Sequence, residues 1–358
     1  MDNIEFFKIG LPKELLGDNF IDSKKEFNRM LAQSRKRAKK DNCMYCNEEK
    51  SSFCNSHSVP AFCLKNIATD GSLYYSNTLI DVALLDSEKG VKNAGTFQLI
   101  CRDCDSKIFQ EYEDPSNYDK EVTPRMIAQI AMKNYLKQIS KRLNEYALFD
   151  IAYEINPLAG GMTKYMHSIQ EMDLLEYKNG FEKAKRLSKK DWKGEYYQFY
   201  YEKLDYVVPI AFQGIISLVL DLDGTIVNNI YNEDINYKIQ DLHICIFPLK
   251  ESTVVTMFID SNNKRYRNFY KKFNKLTHED KLALVNYMIF LYSEDVFLSK
   301  NIPEHILKND KMIEVAKQSS MAFLSTPFVD TIEESKKVYD LSKRNEIPNL
   351  LSEEYKLR

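Results

Sequence analysis

The spacing of apolar positions changes along the chain, and each spacing predicts a different element. In residues 23–40, "SKKEFNRMLAQSRKRAKK", Phe27, Met30 and Leu31 recur at helical intervals among charged neighbours. From Thr123 the helical interval holds for longer. Ile127, Ile130, Ala131, Tyr135, Ile139, Leu143 and Tyr146 form one stripe. Thr123 is a favourable N-cap and Pro124 a favourable first helical residue, so a long amphipathic helix is expected. Gly160–Gly161 interrupt the pattern, and residues 165–204 read as charged, Tyr-rich helices.

From about residue 206, β-branched and apolar runs separated by polar turns take over. "YVVPIAFQGIISLVLDLDGTIVNNIY" and "LHICIFPLKESTVVTMFID" predict strands. A helix resumes at "THEDKLALVNYMIFLYSE", with Thr277 as cap and Asp280 in the capping-box position, where Glu is commoner. The tail from 303 reads as polar helix, and no internal repeat appears. The pattern predicts an α+β chain in four parts. Residues 1–42 form a basic helical segment, 43–120 a cysteine-rich module and 121–205 a helical region. Residues 206–358 form a mixed helical and antiparallel β domain with a β-hairpin near 216–231.

Composition narrows the class. The 358 residues suffice for one large domain or two ordinary ones, and 23 Tyr with 20 Phe supply a sizeable core. Only 11 glycines argue against a Gly-rich nucleotide-binding sheet. The net charge of −2 excludes a polycation, so affinity for nucleic acid has to come from a local patch. Residues 23–40, with eight Lys or Arg against one Glu, offer such a patch, and Arg35, Lys36 and Arg37 are the candidate phosphate contacts. The bland alternative is a solvated helix face. The opening "MDNIEFFKIGLPKELL" lacks a basic start followed by an apolar run, and "VVPIAFQGIISLVL" is too short to span a bilayer. A cytoplasmic protein with no membrane partner is expected.

Six of the seven cysteines lie between 43 and 104. In a reducing compartment, the pairs Cys43/Cys46 and Cys101/Cys104 point to a tetrahedral zinc ion, not to disulfides. Cys43, Cys46, Cys54 and His57 would make a compact rival set, but the four-cysteine set leaves neither C-x-x-C pair unexplained. A closed four-cysteine zinc is structural, so any chemistry lies beside it.

Between the pairs stands "CNSHSVPAF", residues 54–62, and around the second pair "TFQLICRDCDSKIF", residues 96–109. The order C-x-x-C, His57-x-x-Pro60, short strand, C-x-x-C resembles that of HNH endonucleases. It is also similar to bacterial proteins that read Ser-His-x-x-Pro and then Leu-x-Cys-x-x-Cys-Asp, an aromatic residue and Glu. This chain supplies Ser56, His57, Leu99, Cys101, Cys104, Asp105, Phe109 and Glu113. The resemblance covers about a fifth of the chain. It implies a treble-clef, ββα-metal zinc module in which His57 is the general base and Asp105 a ligand for catalytic Mg²⁺ or Mn²⁺. Two positions depart from the family: Ser56 replaces its Asp before the His, and Thr96 its Asn, with Asn93 nearby.

"LVLDLDGTIVNN", residues 218–229, matches in letters the first motif of haloacid-dehalogenase phosphatases, with Asp221 as nucleophile and Asp223 as acid/base. No glycine follows Gly224, however, so the later Gly-Asp metal motif is lacking. Asp223-Gly224 is equally a strong hairpin-turn signal, and a hairpin is the favoured reading. His167, His243, His278 and His305 show no ligand spacing; Cys245 and Trp192 carry no assigned role.

The expected function is an HNH-like metal-dependent nuclease with structural Zn²⁺, acting on nucleic acid, DNA in the first place, in bacterial defence. The alternative is a non-catalytic zinc module that binds nucleic acid or a protein partner, with a homo-oligomer as a further option. A phosphatase on Asp221 is the third reading.

Overall fold

The computed structural model describes residues 20–76, 88–120, 122–157, 160–232, 234–318 and 331–358. It is a mixed α+β fold. Helix α1 (Phe20–Arg37) precedes the cysteine module. The module holds strand β1 (Ser56–His57), helix α2 (Ala61–Ile67), strands β2 (Ser72–Tyr75), β3 (Glu88–Gly90) and β4 (Thr96–Phe97), and the short helices α3 (Arg102–Ile108) and α4 (Gln110–Glu113).

The long helix α5 (Pro124–Ile155) begins where expected, and the Thr123 hydroxyl accepts from the Met126 N–H. Its first half is more than amphipathic. Every residue from Met126 to Leu136 is buried, Gln129, Lys133 and Asn134 included, because the module covers one side and the sheet the other. Helix α6 (Gly160–Leu187) packs along α5.

The sheet follows. Strand β5 (Tyr196–Leu204) occupies a segment that read as helix; its run "YYQFYYEKL" is aromatic, and that β preference outweighs the charged flanks. Strands β6 (Ile210–Ile216), β7 (Leu242–Pro248) and β8 (Thr253–Asp260) follow the expected β texture. Helices α7 (Arg267–Phe273) and α8 (His278–Tyr292), strand β9 (Phe297–Leu298) and the short helices α9 (Glu304–Leu307), α10 (Asp310–Gln318) and α11 (Thr331–Val338) follow among the described residues. Thr277 caps α8, accepting from the Asp280 N–H.

The sheet order is β3-β2-β9-β6-β7-β8-β5, and among the described residues every pairing is antiparallel. Successive residues of β7 face opposite sides. Ile244 and Ile246 join the core under α7 and α8, while Cys245 and Phe247 join the core shared with α5 and the cysteine module. The result is three layers with the sheet in the middle. Strand β9 links β2 of the module to β6 of the C-terminal region, so one sheet crosses the boundary expected near residues 120–206. Gly95 seals the same junction. Its φ of +63° and the Phe297 ring, which would lie 2.5 Å from any Cβ, both require glycine.

The hairpin near 216–231 is reduced to one bridge, Leu220–Ile226, outside the named strands. The loop has three residues, not two. Asp221 N–H donates to Thr225 O and Gly224 N–H to Asp221 O, with Gly224 at φ +79°. A two-residue type I′ turn needs positive φ at Asp223 as well, and Asp223 lacks it.

Candidate metal centre and its surroundings

The four expected cysteines converge. The Sγ atoms of Cys43, Cys46, Cys101 and Cys104 all lie within 4.8 Å of one another. A tetrahedral zinc with Zn–S near ~2.3 Å sets its sulfurs roughly 3.8 Å apart, so a small contraction fits the ion. Local backbone geometry makes this cluster. Cys43 and Cys46 sit in a tight turn closed by the Asn47 N–H to Cys43 O bond, with Asn47 in the left-handed region at φ 60°. Cys101 is the N-cap of α3, and Cys104 lies in its first turn. The Cys101 N–H donates to Cys43 Sγ at 3.3 Å. Burial pushes the Cys43 thiol up, but N–H donors from Cys46, Cys101 and Tyr45 outweigh it and bring the thiol to about 7, which favours the thiolate a metal needs.

The rival set does not assemble. Cys54 points elsewhere; its thiol lies 3.5 Å from Ile100 O, and burial, with the Asp105 charge, pushes it up to about 12. His57 is tied to the carbonyl of Val91, with Nε2 donating at 3.0 Å. A carbonyl only accepts, so in the neutral ring Nδ1 is the acceptor nitrogen.

Ser56 and His57 are successive residues of β1, and the register pairs them with Phe97 and Thr96. Paired residues share a face, and successive residues alternate. Ser56 and Phe97 are buried on the α5 side; His57 and Thr96 occupy the other. Asp105 belongs to the Ser56 face, where Ser56 Oγ–H donates to Asp105 Oδ1 at 2.6 Å. The structure thus separates the two expected catalytic residues onto opposite faces of β1.

The group that meets Asp105 is one the sequence left unmarked. Lys133 of α5, its side chain 1% exposed, places Nζ 2.9 Å from Asp105 Oδ1 and 3.0 Å from Glu113 Oε1. The same Nζ donates to Ser56 Oγ at 2.7 Å and lies 3.7 Å from the centre of the Phe109 ring. Two carboxylates, a hydroxyl and an aromatic face therefore surround one ammonium. Burial pushes the Asp105 carboxyl up, but the Lys133 charge and the Ser56 hydroxyl outweigh it and hold it below the usual range. The signal available in sequence was a lone Lys in the apolar run "MIAQIAMKNYL".

The other expected site residues are dispersed. Arg35, Lys36 and Arg37 form the exposed last turn of α1, and Arg37 makes a two-bond pair with Glu154 at 2.8 and 3.0 Å. Asp221 is buried in its loop, where Oδ1 accepts from the Leu222 N–H and Oδ2 lies 2.9 Å from Lys272, which also pairs with Asp223. Among the described residues no parallel strand leads into Asp221, and the single Lys272 ammonium bridges both carboxylates.

The chain matches no family model, no curated protein and no solved structure at a significant level. Among the described residues, no helix is long and apolar enough to cross a membrane.

Proposed function

We propose that residues 43–113 are an HNH-like zinc module of treble-clef design that binds nucleic acid without cutting it. The order of the elements supports the design: a cysteine turn, the β1–β4 pair, then a helix whose first turn carries the second cysteine pair. The observation that carries the non-catalytic reading is Lys133. Its ammonium sits where the oxygens of Ser56, Asp105 and Glu113 converge, the place a hydrolytic cation would take. An ammonium buried to this degree neither polarises a water molecule nor reaches a scissile phosphate as Mg²⁺ does. The departure at Ser56 agrees with it, since a hydroxyl beside an ammonium makes a hydrogen bond where an Asp would add a third carboxylate.

One observation favours the nuclease as a second reading. The Val91 carbonyl fixes His57 in the tautomer with a free Nδ1, which suits a general base. Cleavage assays with Mg²⁺ and Mn²⁺ on DNA and RNA, for the wild type and His57→Ala, decide between the two. The binding reading expects retention of oligonucleotides and no cleavage above the variant's background. Metal-dependent cleavage that His57→Ala abolishes, with zinc content unchanged, would overturn it.

A further inference from the structure

The turn that leaves α6, residues 185–193 "KRLSKKDWK", carries five cations and one carboxylate. The carboxylate is engaged, because Asp191 Oδ1 accepts the Arg125 N–H at the start of α5 at 3.1 Å. Arg186, Lys189, Lys190 and Lys193 are exposed and form no ion pair among the described residues. Trp192 is 40% exposed, and Lys190 Nζ lies 4.0 Å from its ring centre on one face.

The turn is anchored beside the zinc knuckle. Leu187 and Ser188 are buried, and Lys185 Nζ stands 5.0 Å over the ring of Tyr45, between Cys43 and Cys46. Ser188, Tyr45, Lys50 and Lys107 line a cleft of about 710 Å³. The acidic groups of that cleft are Asp103, Glu48, paired with Lys50, and Glu111, paired with Arg125.

We infer that this turn is the docking site for single-stranded nucleic acid. Trp192 stacks one base, Arg186, Lys189 and Lys193 hold phosphates, and the strand runs toward the cleft at the zinc knuckle. The inference rests on the nucleic-acid reading above and names the kind of strand and its contacts. A duplex keeps its base faces stacked inside, so it offers Trp192 no partner; a single strand does. An anionic membrane fits less well, because insertion needs an apolar patch and Leu187 is buried, which leaves Trp192 without apolar company in this turn.

Trp192 is the chain's single tryptophan, so its fluorescence reports on this site directly. Oligonucleotides of about twelve nucleotides, dT or U, should quench it to saturation, and duplex of the same length should quench it weakly. The triple change Arg186→Glu, Lys189→Glu, Lys193→Glu should lower the slope of log affinity against log salt by about 2, at roughly 0.7 per phosphate contact for single strands. In filter retention, which needs no tryptophan, Trp192→Ala should weaken binding about 5- to 150-fold, and Trp192→Phe should restore most of it. All four side chains are exposed, so zinc content should stay unchanged. Full-affinity binding by both the triple variant and Trp192→Ala overturns the docking site and leaves the nucleic-acid reading standing. A wild type that retains no oligonucleotide overturns both. A fluorescence shift with phosphatidylserine vesicles but not with oligonucleotides overturns the inference in favour of a membrane surface.

Discussion

Replacing Lys133 by Met keeps the aliphatic stem beside Phe109 and removes the charge. Asp105 and Glu113 then lose their common cation, and Ser56 loses a donor. Breaking a fully buried ion pair from one side costs about 3–5 kcal/mol. Here the carboxylate side chains are 23% and 33% exposed, so water recovers part of the loss and about 2–3 kcal/mol at pH 7 is expected. The pH dependence has a definite sign. In the wild type Asp105 is held below the usual carboxylate range, so its contribution is present above about pH 4 and is lost as pH falls through its lower folded value. In Lys133→Met the cation is gone and burial favours the neutral acid at Asp105, so the penalty shrinks as pH falls and Asp105 takes up its proton. Urea denaturation of both proteins at several pH values measures this. A variant as stable as the wild type at pH 7, or a penalty that does not shrink as pH falls, would refute the reasoning.

Three further outcomes are expected. Purified protein should hold one tightly bound zinc per chain on Cys43, Cys46, Cys101 and Cys104, and Cys101→Ser should lose it and destabilise the module; elemental analysis of unchelated protein is the check. Burial, then the neighbouring Glu176 carboxylate, pushes the Asp241 carboxyl up to about 7, so stability should fall as pH rises from about 4 toward 7, by at most roughly 1.4 kcal/mol per pH unit. Asp241→Asn should flatten that slope in urea melts, and an unchanged slope would exclude Asp241 as its source. Neutralising Arg35 and Lys36 should leave the salt slope of oligonucleotide binding unchanged. They lie in the α1 turn that pairs with Glu154, toward the C-terminal end of α5, whereas residue 191 meets Arg125 at its start, roughly 40 Å away at about 1.5 Å per residue. A reduced slope would place the strand on α1 instead.

What the sequence discloses follows from how local the controlling physics is. The cysteine ligands are legible because each knuckle is a short turn that presents two thiolates by itself. The start of α5 is legible because Thr123 and Pro124 are local signals. Lys133 is not, since a lysine in a helix is by default solvated. Its burial is decided by Ser56 and Asp105, 77 and 28 residues away. Strand β5 is not legible because the charged texture of α6 carries on through the turn that joins them, and its β character shows only in its pairing with β8. The opposite facing of His57 and Asp105 depends on the β1–β4 register, which no single stretch of sequence contains.

Strand β9 has two residues, yet it carries β2 on one side and β6 on the other. Excised alone, the cysteine module would expose the backbone edge of β2, and the remaining sheet would end on β9, two buried apolar residues. The two regions therefore cannot be exchanged like cassettes among unrelated genes. Any descendant that keeps the cysteine module should inherit the sheet with it, and recombination breakpoints between them should be purged.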